Sequence, residues 1–239
     1  MGDRRGHLAE MAKGQSSPEL DYLFSQGHER RFEAGEHIVT EGEATTYFYD
    51  LLDGTVALAR NGNDGRRQIL GFMGARQILG AASTPNYPNL ATALTPVTAI
   101  CYPRSALEKA LATTPGFASS FRVVLTRILE SAHDHIYTIG QRSAIERVAS
   151  FLLYLRSNQA RFDPKGPRER STHIDLPMTR LDIADFLGLT IETVSRAFSA
   201  LKRQGVISFK DAKSCNIVDL DRLRRMGGRE DFTDKRGAA

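Results

Sequence analysis

The sequence predicts an α+β chain: an N-terminal antiparallel β-roll (jelly-roll), one long helix, and a C-terminal winged helix-turn-helix. Three observations carry this expectation. Short β-like runs punctuated by glycine fill residues 29–109, an apolar stripe at three- and four-residue spacing follows Thr114, and two capped helical segments joined at a glycine occupy residues 179–203. The expected divisions are an arm over 1–27, the β-roll over 28–112, the long helix over 113–139, the winged helix-turn-helix over 140–221 and a flexible basic tail over 222–239. A chain of 239 residues suits two small domains at about 150 residues per domain, and 41% hydrophobic with 25% charged residues is enough to bury a core.

In order along the chain, residues 1–27 show no sustained period and contain Gly14, Ser16, Ser17 and Pro18, which reads as a loose arm with a short helix at Glu19 to Ser25. The runs Ile38-Val39, Tyr47 to Leu52, Val56 to Ala59, Ile69 to Phe72, Ile78-Leu79, Ala91 to Leu94 and Val97 to Tyr102 read as strands. Asn61-Gly62 is expected to make a two-residue type I′ turn, because both residue types tolerate positive φ. Thr114-Pro115 opens a helix, with a hydroxyl at the cap and proline at the first helical position. Its stripe includes Phe121, Leu125, Ile128, Ala132 and Ile136; such a stripe either packs on the chain's own β domain or joins two copies of the chain, and the second use is the one expected. Gly140 is expected to end that helix. Ser143 to Glu146 is a capping box opening another, buried through Val148, Phe151, Leu152 and Leu155. Arg161 to Thr172 reads as an exposed loop, and Ile174 to Pro177 as a brief strand.

Charge is unevenly placed. The whole chain carries +4 with a pI near 9.2, but residues 1–138 hold 13 Lys and Arg against 15 Asp and Glu, whereas residues 139–239 hold 19 against 13. A basic carboxy-terminal half is what a polyanion-binding module shows, although a solvated basic face has the same composition.

The helix-turn-helix stretch gives that charge a geometry. Thr179 caps a first helix with Ile183, Ala184 and Leu187 inward, Gly188 takes the sharp turn, and Thr190 caps a second helix with Ile191, Val194, Ala197, Phe198 and Leu201 on one face. Glu192, Ser195 and Arg196 stand on the opposite face near its start, where a recognition helix meets base edges in the major groove. Arg bonds guanine O6 and N7 in a bidentate way, Glu accepts from cytosine N4, and Ser serves either a base or a phosphate. Thr179, Thr190, Thr193, Ser199, Lys202, Arg203 and Lys210 supply hydroxyls and cations suited to the DNA backbone. Residues 205–218 read as a two-stranded wing.

Thr190-Ile191-Glu192-Thr193-Val194-Ser195-Arg196, preceded by Asp182 to Gly188, resembles the recognition motif of the CRP/FNR superfamily of bacterial transcription regulators, and its Glu-x-x-Ser-Arg pattern is similar to the FixK-type, FNR-like branch. Ala34-Gly35-Glu36, Glu41-Gly42-Glu43 and Leu51 to Val56 look like that family's β-roll turns, so the resemblance spans about residues 28–221. It implies a cytoplasmic homodimer that binds double-stranded DNA at a TTGA…TCAA-type palindrome, with RNA polymerase as a further partner and low-oxygen respiration or nitrogen-fixation genes as targets.

Some of the family's sensing devices are missing from the sequence. Residues 79–92 hold neither the acid nor the arginine with which its cyclic-nucleotide sensors grip ribose and phosphate, and residues 1–30 hold no cysteine for an iron–sulfur cluster. His133 and His135 lie on different helix faces, and His7, His28, His37 and His173 are isolated, so no haem or metal site is expected and no cofactor is assigned. The alternative is an effector-gated regulator of the same fold that senses haem, nitric oxide or redox state through the β-roll or Cys215, whose thiol would need its pKa lowered by Lys210 and Lys213. Cys101, in an apolar run, is expected to be buried. No phosphate loop, nucleophile elbow or His-Glu-x-x-His helix occurs, which excludes the commoner enzyme classes. The longest apolar runs, such as Phe151 to Leu155, fall far short of the roughly 20 residues that span a bilayer, and Met1 to Gln15 is no signal segment, so no membrane partner is expected.

Overall fold

The computed structural model describes residues 6–81, 84–162 and 172–228, in two compact units, Met1–Ala132 and His133–Ala239. Among the described residues, no helix is long and apolar enough to cross a membrane.

The first unit is a β-roll of two four-stranded antiparallel sheets. One has the order β1-β8-β3-β6, from His28–Phe32 (β1), Val97–Pro103 (β8), Tyr47–Asp53 (β3) and Ile78–Leu79 (β6). The other has the order β2-β7-β4-β5, from His37–Val39 (β2), Leu90–Ala93 (β7), Val56–Asn61 (β4) and Arg67–Met73 (β5). Inward residues of both sheets, among them Phe32, Val39, Tyr49, Leu51, Val56, Ala91, Val97 and Cys101, form one apolar interior with Tyr87 of the β6–β7 connection. All seven expected runs are strands. The additional strand, β1, buries Phe32 alone and pairs along the edge of β8 from His28↔Cys101 to Phe32↔Val97, so its sequence reads as polar. The β4–β5 hairpin corrects the turn expected at Asn61-Gly62. Asn61 is still in the strand, opposite Arg67, and the left-handed residue is Gly65 (φ 79°), in a longer loop closed by Gly62 N–H to the Arg66 carbonyl at 2.8 Å.

Residues 6–27 are not a loose arm. Helices His7–Met11 (α1) and Pro18–Ser25 (α2) bury Leu8, Met11, Leu20 and Leu23 in a second apolar cluster with Phe48, Tyr102, Ala106, Leu107 and Ala110. Ser17 caps α2 by accepting from Leu20 N–H at 3.1 Å, and its hydroxyl also meets the Thr114 hydroxyl at 2.8 Å. Arg104–Thr113 forms a helix, α3, where the strand-like reading ran on to Lys109; its apolar residues Ala106, Leu107 and Ala110 recur at helical spacing.

Pro115–Gln141 is the long helix, α4, with 27 residues and a length of about 40 Å at 1.5 Å per residue. It runs through Gly140, which was expected to break it. Its stripe is divided between two uses: Phe117 and Phe121 are buried in the cluster beneath α1 and α2, while Leu125, Ile128, Leu129 and Ile136 are exposed and Ala132 is exposed with them. Phe121 therefore belongs to the core of its own chain and not to a surface for a second copy.

In the second unit, Ala144–Phe162 (α5) begins at Ser143, whose N–H and hydroxyl both donate to the Glu146 carboxylate at 2.8 and 2.7 Å and hold it below the usual carboxylate range. Val148, Phe151, Leu152 and Leu155 are buried as their spacing predicts. Arg161 and Phe162 are still helical, and the rest of the expected loop lies outside the described residues up to Thr172. His173–Asp175 (β9) joins the wing strands Ile207–Asp211 (β10) and Ser214–Ile217 (β11) in the order β10-β11-β9. The tail expected from residue 222 is instead a helix, Leu220–Gly227 (α8), capped by Asp219, which accepts from Arg222 N–H at 2.9 Å. Leu223 is fully buried, and the Gly227 carbonyl accepts from Ser150 and Arg142. Residues 229–239 of that expected tail lie outside the described residues.

Candidate nucleic-acid interface

Helices Arg180–Leu187 (α6) and Ile191–Arg203 (α7) are set by their caps. Thr179 closes a full capping box with Asp182: its hydroxyl oxygen accepts from Asp182 N–H at 3.1 Å, and the Asp182 carboxylate accepts from Thr179 N–H at 2.8 Å. Gly188 ends α6 in the left-handed region (φ 61°, ψ 44°), which a residue with Cβ adopts only under strain. Thr190 then caps α7 by accepting from Thr193 N–H at 3.2 Å. This is the three-residue turn that the sequence spelled out at 188–190.

α7 is sharply two-faced. Val194, Ala197, Phe198 and Leu201 are buried, while Glu192, Ser195, Arg196, Ser199, Lys202 and Arg203 are exposed. Glu192, Ser195 and Arg196 thus share one solvent face on the first turns, at spacings of three and one. Arg196 donates to the Thr193 hydroxyl at 3.3 Å, and that hydroxyl meets Thr190 at 3.0 Å, so the cap, Thr193 and the guanidinium form one chain of contacts. Thr193 is half-buried. The backbone amide of Glu192 and the Thr190 hydroxyl hold the Glu192 carboxyl below its ordinary range, so it is ionised at neutral pH.

The wing is Ile207–Asp211 (β10) and Ser214–Ile217 (β11), with Lys210 exposed near its tip. Lys202 and Arg203 stand in the last turn of α7, where the helix dipole favours cations. Two side chains depart from the expected roles. Ile191, assigned to the inner face, is 40% exposed beside Glu192. Cys215 is fully buried, and burial pushes its thiol up to about 11, against the lowering by Lys210 and Lys213 that a redox role would need. Cys101 is buried as expected.

Sequence reasoning missed Arg180. Its guanidinium lies 3.8 Å from the Phe198 ring centroid and 5.4 Å from that of Phe209, tying the start of α6 to the recognition helix and the wing. The signal was a cation in the first turn of a helix, where the dipole disfavours it. His135 in α4 stacks on Phe186 of α6 at 4.1 Å, and burial lowers its pKa; this is a contact within the unit, not a ligand.

Residues 146–226 match the Crp-like helix-turn-helix domain family, and residues 29–114 match the cyclic nucleotide-binding domain family. The nitrogen fixation regulation protein FixK of Bradyrhizobium diazoefficiens is 38% identical over 80% of this chain and 77% of its own length. The chain belongs to the CRP/FNR superfamily of bacterial transcription regulators. A probable transcriptional activator of Rhizobium leguminosarum bv. viciae is 34% identical over 90% of this chain and 86% of its own. The structure of FixK2 from Bradyrhizobium japonicum superimposes with a TM-score of 0.76 at 34% identity, covering 84% of this chain and 96% of that one. As a CRP/FNR regulator of FixK type the protein binds DNA and is not an enzyme, and α6, α7 and the wing lie within the matched helix-turn-helix domain. The β-roll carries that superfamily's sensor-domain fold, with Tyr49 and Tyr87 in its interior and the Tyr87 hydroxyl donating to the Tyr47 carbonyl at 2.5 Å.

Proposed function

We propose that the protein acts as a homodimer on a TTGA…TCAA-type palindrome, with Arg196 and Glu192 reading the G·C pair and its neighbour and Ser195 beside them. Thr179, Thr190, Thr193, Ser199, Lys202, Arg203 and Lys210 lie along the backbone, and Arg180 joins them. The observation that carries the reading is the single exposed face on which Glu192, Ser195 and Arg196 stand, held by the Thr190–Thr193–Arg196 contacts. Ile191, exposed beside Glu192, presents its aliphatic side chain to a thymine methyl of the half-site. Leu125, Ile128, Ala132 and Ile136 on α4 form the dimer surface, which sets two recognition helices one DNA turn apart.

The target genes serve low-oxygen respiration or nitrogen fixation, a reading supported by relatives named for nitrogen fixation regulation, and RNA polymerase is the partner at the promoter. Regulation proceeds without a small effector in the roll: residues 79–92 lack the charged pair that a cyclic nucleotide requires, and Tyr49, Leu51, Tyr87 and Val97 occupy the interior. Titration of a palindromic duplex against wild type and Arg196→Ala tests the base-reading assignment. Equal binding of both proteins to specific and random DNA contradicts it. A Soret band in the purified protein contradicts the effector-free reading.

A further inference from the structure

Arg147 stands in the opening turn of α5, where the helix dipole disfavours a cation. Its half-buried guanidinium is turned to backbone carbonyls of two segments. Nε donates to the Arg142 carbonyl at 2.8 Å, where α4 gives way to α5, and Nη1 donates to the carbonyls of Leu187 at 3.0 Å and Gly188 at 3.4 Å, at the end of α6 and the turn before α7. The last carbonyls of a helix lack intrahelical donors, and α6 has no basic residue in its own last turn, so the positive charge favoured at that end comes from α5. Arg142 is anchored in turn, its guanidinium donating to the Ser150 hydroxyl at 2.9 Å and to the Gly227 carbonyl.

A second contact joins the same elements. Phe186, one residue before Leu187, is buried against three rings: His135 of α4 stacks on it at 4.1 Å and 14°, Tyr154 of α5 at 5.8 Å and 27°, and Phe151 of α5 meets it tilted at 5.7 Å. His135 is followed by Ile136, which is 62% exposed on the stripe assigned above to the second copy. The last turns of α4 thus carry a solvent-facing apolar residue beside one that packs on α6. Besides the covalent path through α5, residues 186–188 are fastened to residues 135–142 by a ring stack and a guanidinium bridge.

We propose that Arg147, together with His135, is a positioning residue that fixes which half-site spacing the protein accepts, while the sequence of each half-site is read elsewhere. The inference rests on the homodimer reading given under Proposed function. Bases within a half-site are met by Glu192, Ser195 and Arg196 on the exposed face of α7. The distance and rotation between two α7 helices depend instead on how firmly each is fastened to the last turns of α4. One planar guanidinium bonded to three carbonyls fixes both, whereas an ammonium on a flexible stem is a point donor and fixes neither. Adding or removing one base pair between half-sites shifts one of them by about 3.4 Å and turns it by about 35°. With a stiff joint the DNA must deform to absorb that error, which lowers affinity roughly tenfold; with a loose joint the protein absorbs it.

Fluorescence anisotropy on four duplexes tests the joint in the full chain. Three share the palindromic half-sites, with a spacer that sets them one helical turn apart or one base pair longer or shorter; the fourth has the middle spacer and a replaced guanine in each half-site. The wild type is expected to prefer the middle spacer roughly tenfold. Arg147→Lys, which keeps the charge, and His135→Ala, which removes a half-buried ring, are each expected to narrow that preference to about threefold, with discrimination at the guanine and sedimentation as a dimer unchanged. His135→Ala carries the test alone if Arg147→Lys does not fold. Wild-type spacer preference in the folded variants overturns the joint. Equal loss of spacer and guanine discrimination also overturns it, because a damaged α7 gives that result. A wild type that selects the guanine but binds all three spacers alike contradicts the homodimer reading itself, and the joint falls with it.

Discussion

Arg196 is held on the solvent face of α7 by its contact with Thr193, so its loss removes a pre-positioned guanidinium. Arg196→Ala is expected to cost about 1–3 kcal/mol on the palindrome and to flatten discrimination at the guanine, whereas Lys202→Ala weakens all sequences alike and reduces the salt slope. Both are read by fluorescence anisotropy on specific and scrambled duplexes. Replacing the half-site thymines by deoxyuridine removes only methyl groups; it is expected to weaken the wild type and to leave Ile191→Ala unaffected. Cys215 supplies a negative control. Buried and with its thiol at about 11, it is expected to stay unreactive toward a disulfide reagent at pH 8 until the protein is denatured, and fast native labelling would contradict its burial. The face of α7 was legible at this scale because four buried residues at helical spacing leave Glu192, Ser195 and Arg196 outside. Ile191 was not: it continues the apolar period by type, but as the first residue of the helix it lies beyond the buried patch.

At the scale of elements, the caps do the positioning. Thr179→Ala removes the hydroxyl half of a capping box, leaving the backbone N–H of residue 179 on the Asp182 carboxylate, and is expected to lower stability by about 0.5–2 kcal/mol, measured by urea unfolding. Seven strands of the roll, the two caps of the helix-turn-helix and the start of α4 were all readable, because each rests on a local signal: alternation, a hydroxyl cap or a proline. What escaped depends on distant partners. β1 is polar in sequence and exists because β8 offers it an edge, and α8 reads as a basic Gly/Arg stretch until α5 covers Leu223 and Ser150 meets Gly227. The same reason explains Phe121: periodicity groups it with Ile128, but α1 and α2 cover one and not the other.

For the molecule as a whole, the exposed stripe of α4 and the basic second half carry the account together. Ile128 is 51% exposed, and a charge there is expected to separate the subunits: Ile128→Glu should sediment as a monomer and lose affinity for the palindrome. A variant that stays dimeric and binds normally counts against that surface. The central claim is that a symmetric pair of α7 helices reads a palindrome, and selection of bound duplexes from a random pool tests it most directly. The expected result is a dyad-symmetric consensus of TTGA and TCAA half-sites centred about one helical turn apart. Enrichment of an asymmetric site, or of no common sequence, would contradict it.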